Sequence, residues 1–228
     1  MRPAITLVDY GAGNLASVVR GLEAAGASVR IATASNLLDD AHAMVVPGVG
    51  HFGQTAGLDE RWRAHIHAAL EAGRPLLGIC LGMQWLFEGS EEAPALPGLG
   101  VLPGRCVRLR GGVKVPHVGW NQLELARGGS RLLHGVPAPA YGYFAHSYAV
   151  PPGDDAVAVT THGIAFASVV ERGRVFGIQC HPEKSADTGL VLLRNFVGFV
   201  RERGTGRATA SVRRDGADEP GAAGDGRC

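Results

Sequence analysis

Three short apolar runs near the start of the chain each end in a glycine-rich turn, and each turn opens a segment with helical spacing. "AITLV" (4–8) runs into "DYGAGN", "AMVVP" (43–47) into "GVGHFG", and "PLLGI" (75–79) into "CLG". Apolar runs of four to eight residues bounded by turn residues read as strands buried on both faces. From Asn14, a natural N-cap, Leu15, Val18, Val19 and Leu22 fall on one helical face. "SVRIA" (28–32) reads as a further strand, residues 54–72 as a second helix, and a third helix starts at about Leu81. Strands alternating with helices demand an open, mostly parallel sheet with helices on both faces. In such folds, chemistry collects where strands end and helices begin.

Beyond about residue 98 the texture changes. "VRLRGGVKVPHVGWNQLEL", "AYGYFAHSYAV", "DAVAVTTHG", "IAFASVVERG" and "RVFGIQCHPE" are strand-like pieces joined by short turns, which implies added antiparallel strands. A last helix is expected from about Thr188 to Arg201, with Leu190, Leu193, Val197 and Val200 towards the core. The segment "GTGRATASVRRDGADEPGAAGDGRC" has no aromatic residue and much glycine and charge, so it cannot offset its ordering entropy. The expected organisation is one domain over residues 1–203 and a disordered tail over 204–228, with Cys228 an incidental thiol.

Several function classes fall away on composition. The formal net charge is +1 and the basic residues are scattered, which gives no footprint for nucleic acid or an anionic membrane. No apolar run approaches the roughly 20 residues of a membrane span, and "MRPAITLVDY" turns acidic too early for a signal peptide. Cys80, Cys106, Cys180 and Cys228 show no CxxC spacing and no cysteine–histidine cluster suited to a metal. The plain expectation is a cytoplasmic enzyme or binding protein with no metal and no cofactor.

Cys80 stands in "GICLG" (78–82), the form of a nucleophile elbow with cysteine in place of serine. A sharp strand-to-helix turn crowds the backbone, so residues two places away must be small. The turn also sets the sulfur at a helix start, where free N–H groups favour negative charge. A lone cysteine between glycines is more often structural; it is the strand–turn–helix context that brings the nucleophilic reading level. A thiol nucleophile needs a base, and the base an orienting group. "QCHPEKS" (179–185) offers both. In an extended segment His181 and Glu183 share a face, Pro182 favours that geometry, and Glu183 can fix the tautomer of His181. Cys180 then points the other way, to the core. For an oxyanion, the N–H of Leu81 and that of Val49 or Gly50 in "PGVG" are the candidate donors, glycine letting that peptide approach and rotate. "GVGHFG" (48–53) matches the dinucleotide fingerprint G-x-G-x-x-G, but it follows the third strand-like run and Pro47, so the nucleotide reading is rejected.

Together these motifs resemble the class I (triad) glutamine amidotransferases. "DYGAGNL", "PGVGHFG", "PHVGWN" and "YFAHSY" narrow the likeness to the glutaminase subunits of imidazole glycerol phosphate synthase, over residues 4 to about 201. The resemblance implies a flavodoxin-like α/β fold and a triad of Cys80, His181 and Glu183. It implies that Gln84, Glu92, His146, Ser147 and Tyr148 hold the amino and carboxylate ends of glutamine. For Gln84, one turn past the thiol, helical spacing agrees; Glu92 by itself reads equally as a solvated loop acid, and His146 as a locally bonded strand histidine. The implied partner is a (β/α)₈-barrel cyclase, forming a heterodimer in histidine biosynthesis and receiving ammonia. Asn14, Trp120, Tyr143 and Lys184 are the interface candidates, although Trp120 by residue type alone reads as core. The competing readings are the glutaminase subunit of pyridoxal phosphate synthase, a free-standing cysteine hydrolase, and a non-enzymatic binding module with a structural Cys80.

Overall fold

The computed structural model describes residues 2–211 of the chain. Strands β1 (Ala4–Val8), β2 (Ser28–Ala32), β3 (Met44–Val46) and β4 (Leu76–Ile79) alternate with helices α1 (Leu15–Ala24) and α2 (Glu60–Glu71), and β4 passes directly into α3 (Leu81–Leu86). Short strands β5 (Gly89–Ser90) and β6 (Arg105–Arg108) follow, then β7 (His117–Leu125), β8 (Ala140–His146), β9 (Tyr148–Ala149), β10 (Ala156–His162), β11 (Ile164–Arg172) and β12 (Val175–Ile178). Helix α4 (Ala186–Ser211) closes the described chain.

Nine strands form one sheet in the order β2-β1-β3-β4-β12-β11-β10-β7-β8. The first five run parallel; β11, β10, β7 and β8 extend the sheet antiparallel. A small three-stranded sheet, β5-β6-β9, sits apart. β4 and β12 are buried at every position, which is why both read as unbroken apolar runs.

Side chains alternating along those strands divide the interior in two. Val45, Leu77, Ile79, Phe176 and Ile178 pack with Val18 and Leu22 of α1 and with Leu193, Phe196 and Val197 of α4. Met44, Val46, Leu76 and Val175 pack on the other face with Trp62 and Ile66 of α2 and Met83 and Trp85 of α3.

Three element bounds differ from the sequence reading. The helix expected over 54–72 begins only at Glu60, because the Asp59 carboxylate accepts from the N–H groups of Arg61 and Trp62 and caps it. Residues Phe52–Gly57 form a separate 3₁₀ turn, capped by His51. The last helix starts at Ala186 and runs on to Ser211, beyond Arg201. Most of the 204–228 segment, expected to be disordered, lies outside the described residues, as does Cys228.

Candidate active site

Strand order alone brings three loops together. β3, β4 and β12 are adjacent and parallel, with Val46 in register with Gly78 and Ile79 with Ile178. Their C-terminal ends therefore deliver Pro47–Gly50, Cys80 and His181 to one edge of the sheet, in the manner of open α/β sheets. The elbow is real in its backbone: Cys80 has φ 52° and ψ −110°, and its N–H donates to the Ile178 carbonyl at 2.8 Å. A side chain at Gly78 would sit 2.6 Å from the Gly82 carbonyl oxygen, and one at Gly82 would strike the Val46 carbonyl. Both glycines are thus required by close approach. The strained cysteine is held by packing on both sides of the sheet.

His181 and Glu183 meet at 2.9 Å, Nδ1 to Oε1, with both side chains almost wholly buried. Their route to that contact differs from the expected extended strand. Only His181 is extended, at φ −94° and ψ 96°, and Pro182–Lys184 form a 3₁₀ turn that swings Glu183 back under the ring. Ser185 secures the turn by donating to the His181 carbonyl at 2.6 Å. Burial opposes charge on His181, but hydrogen bonding to Cys80 and Glu183, together with their negative charge, outweighs it and holds the imidazole pKa up at about 10. Oε2 of Glu183 is buried with no hydrogen-bond partner among the described residues, so His181 is the main compensation for that carboxylate. Cys180 is fully buried in the core, and burial pushes its thiol up to about 12.

A cavity of about 180 Å³ opens over the sulfur, lined by Cys80, Leu81, Gln84, Gly50, Glu92 and the His146–Ser147–Tyr148 turn, among others. Every glutamine-binding candidate therefore faces the same space as the thiol. Gln84 donates both amide hydrogens inward, to the Tyr148 carbonyl at 2.7 Å and to Gln179 Oε1 at 3.2 Å. Only its Oε1 remains to meet a ligand, as an acceptor. Glu92 is not a solvated loop acid: its carboxylate accepts from the Phe52 N–H at 2.7 Å and ties the turn after "PGVG" to the cavity floor.

The oxyanion candidates are present but not assembled. The Leu81 N–H donates to the Gly48 carbonyl at 3.4 Å. A trans peptide points its C=O and N–H in opposite directions, so the Val49 N–H on that same peptide faces away from the cavity. Gly50 holds φ at +91° and Val49 is 37% exposed.

Of the interface candidates, Trp120 is 56% exposed, which overturns the core alternative, and it packs edge-on against Tyr143. Lys184 Nζ lies 5.8 Å from the centre of the Tyr143 ring. Tyr143 adjoins the site itself, its carbonyl accepting from the His181 N–H at 2.8 Å. Asn14 caps α1, accepting from the Ser17 N–H at 3.3 Å, and its neighbour Gly13 lies against Pro47 and Gly48. Two participants escaped the sequence reading. Tyr10 donates to the Pro47 carbonyl at 3.0 Å, its phenol held well above the ordinary value by burial and then by Cys80. Gln179 directs Nε2 towards the Cys80 sulfur at 3.8 Å. Tyr10 at least stood inside "DYGAGN"; nothing local marked Gln179. No group of three or more histidine, cysteine, aspartate or glutamate side chains suited to a metal occurs among the described residues, and no described helix is long and apolar enough to cross a membrane.

A thiol elbow, a histidine–glutamate pair and a polar cavity on this sheet define a class. The family model of the class-I glutamine amidotransferases matches residues 6–198, and the chain belongs to that family. Two solved structures share the fold: a glutamine amidotransferase (TM-score 0.66, 21% identity, covering 86% of this chain and 98% of that one) and PurLQS from Thermotoga maritima (TM-score 0.69, 20% identity, covering 88% and 100%). Within the class, the chain is 49% identical over 201 residues to the imidazole glycerol phosphate synthase subunit HisH of Deinococcus radiodurans, covering 85% of this chain and 93% of the relative. It is 47% identical over 208 residues to the same subunit from Natronomonas pharaonis, covering 87% and 96%.

Proposed function

We infer that the chain is the glutaminase subunit of imidazole glycerol phosphate synthase, an enzyme of histidine biosynthesis, releasing glutamate and ammonia from glutamine. The observation that carries the chemistry is the single cavity shared by the Cys80 sulfur and the polar groups of Gln84, Glu92 and the 146–148 turn. The sulfur attacks the side-chain amide carbon of glutamine, and the carbonyl oxygen becomes an oxyanion. His181, held protonated by Cys80 and Glu183, gives its proton to the departing ammonia and leaves a neutral thioester. Acylation takes away the Cys80 share of what holds that proton, while Glu183 stays, so the proton affinity of His181 falls. The imidazole then accepts a proton from water, the hydroxide attacks the thioester, and glutamate leaves as the Cys80–His181 pair returns to its starting protonation.

The oxyanion needs the Leu81 N–H, which the Gly48 carbonyl holds in the resting geometry. Turning the Gly48–Val49 peptide over would free that donor and add the Val49 N–H as a second. Gating of turnover by this peptide accounts for a subunit that keeps its triad ready yet waits for a partner. Ammonia released into water would be protonated and lose its nucleophilicity, so a shielded transfer into a synthase subunit is chemically required.

The docking face is assigned to the β7–β8 hairpin at the sheet edge and the turn bearing Lys184. Val118 and Trp120 are 60% and 56% exposed there, an apolar patch of the kind that partners cover. The partner is assigned as the (β/α)₈-barrel cyclase, in a cytoplasmic heterodimer.

Labelling with 6-diazo-5-oxonorleucine, a glutamine analogue that alkylates nucleophilic thiols, tests substrate class and nucleophile together. The expected result is a single adduct on the Cys80 peptide, suppressed by glutamine. An adduct spread over Cys106 and Cys180, or none at Cys80, would overturn the reading.

A further inference from the structure

A continuous hydrogen-bonded chain crosses the molecule from β7 to the thiol, and its tautomers are forced. Asn121 Nδ2 lies 3.2 Å from His117 Nε2 and also donates to the Thr161 carbonyl at 3.0 Å. An amide nitrogen only donates, so His117 Nε2 accepts and its Nδ1 carries the hydrogen. That Nδ1 lies 3.1 Å from His146 Nε2, which must accept in turn, leaving His146 Nδ1–H to donate to the Tyr148 carbonyl at 2.9 Å. The same carbonyl takes its second bond from Gln84, whose other hydrogen goes to Gln179, and Gln179 points at Cys80.

Packing fixes the first ring as firmly as hydrogen bonding does. His117 lies between His162, stacked at 4.1 Å, and Phe144, stacked at 4.8 Å. His162 is itself tied to the Lys114 carbonyl at 2.8 Å. Burial, then neighbouring histidine charge, depresses His117 to about 4. His146 is depressed to about 3, chiefly by burial, against its bond to Tyr148. Both rings are therefore neutral near pH 7, as the chain requires.

We propose that His117, held by Asn121, is a positioning residue for the glutamine pocket: it locks His146 in the Nδ1–H tautomer, and through the Tyr148 carbonyl this fixes the Gln84 amide with its oxygen towards the substrate. Without the His117 hydrogen, only the Tyr148 carbonyl still favours the Nδ1–H tautomer of His146, and the other tautomer comes within reach. Its bare Nδ1 would then face the Tyr148 carbonyl, acceptor against acceptor. The Tyr148 turn would shift, and Gln84 could rotate to present its NH₂ to the α-ammonium of glutamine. The inference rests on the cavity being the glutamine site.

The test compares His117→Phe, which keeps the stacking and removes the donor, with His117→Asn, whose amide can stand where Nδ1–H stood. Glutaminase kinetics are measured with the cyclase subunit and its ribonucleotide substrate. His117→Phe is expected to raise KM for glutamine about tenfold while changing kcat far less, the mark of lost ground-state binding. His117→Asn is expected to recover most of that loss at an equal unfolding midpoint. Ring ¹⁵N shifts of the wild-type chain at pH 7 give a second readout, with both histidines expected as neutral Nδ1–H tautomers. An unchanged KM in His117→Phe, or an Nε2–H or imidazolium signature at either ring, overturns the proposal. A wild-type chain that turns over no glutamine even with its partner would instead overturn the glutaminase reading, and the ring shifts would still decide the tautomer.

Discussion

At the ends of β4 and β12, Cys80, His181 and Glu183 have buried side chains, His181 and Glu183 are bonded to each other, and the strained elbow is clamped by the close approaches at Gly78 and Gly82. On the wall formed by the loop after β3, Val49 is 37% exposed and the Gly48 carbonyl occupies the Leu81 donor. The two walls lie on neighbouring strands. One is a site finished at folding, since moving any member would leave a buried charge or an unfilled core. The other is a loop of glycines whose Val49 side chain reaches solvent, so on the proposed gating its Gly48–Val49 peptide is the part free to turn over. On the proposed roles, nucleophile and base are permanent while oxyanion stabilisation, worth about 10²–10³ in turnover, is conditional.

Breaking the finished wall has the largest expected effect. Cys80→Ala should lower glutamate release by about 10⁴-fold or more, with an unchanged circular dichroism spectrum and retained binding of glutamine by calorimetry. Glu183→Gln should lower kcat by about 10³–10⁴-fold by losing the tautomer and the charge behind His181. It should also change the pH dependence of stability. His181 titrates in the fold near 10, above its ordinary 6.5, so the wild-type pair stabilises fully below pH 6.5 and loses that contribution as pH rises towards 10. Urea unfolding at pH 6 and pH 10 should therefore show the wild-type advantage over Glu183→Gln shrinking with pH; an advantage that grows would reverse the sign assigned here.

Changes to the unfinished wall should act on the gating of turnover and leave the thiol itself alone. Gly48→Ala puts a Cβ against the Tyr10 hydroxyl and 2.8 Å from the Leu81 Cβ, hindering rotation of the peptide. Partner-stimulated turnover should fall about 10²–10³-fold, while alkylation of Cys80 by iodoacetamide keeps its rate. Tyr10→Phe removes the bond to Pro47 that braces the loop. A lost hydrogen bond of about 1 kcal/mol should raise unstimulated glutamate release about fivefold and leave the stimulated rate alone; a drop in both would place Tyr10 with the triad instead. Lys184→Ala should have the smallest effect, a few-fold weaker stimulation at sub-saturating cyclase with an unchanged melting temperature. Full stimulation at every cyclase concentration would remove Lys184 from the docking face.

What could be read from the chain follows the same division. Cys80 and the 181–183 pair declare themselves locally, because an elbow needs glycines two residues away and an acid must stand near its histidine. The parallel sheet was legible from its buried runs, and the site's edge from the turns that end them. The start of α2 was misplaced because a 3₁₀ turn and an Asp59 cap interrupt a stretch whose apolar spacing looked continuous. The His181–Glu183 contact was expected, but through an extended strand rather than the turn that makes it. Tyr10, Gln179 and the His117–His146 pair were beyond reach, since Gln179 and Cys80 stand 99 residues apart and the histidines 29. Which way the Gly48–Val49 peptide points is set by the ψ of Gly48 together with the φ of Val49, and the glycine leaves its half of that choice unwritten.

A ready triad behind an unready oxyanion donor shows itself most directly in glutamate release from the purified chain, alone and with saturating cyclase and its ribonucleotide substrate, alongside the rate of Cys80 alkylation in both states. The expected result is stimulation of turnover by about 10²-fold or more with alkylation already fast in the free chain. Equal turnover in the two states, or a thiol that becomes reactive only in the complex, would contradict it.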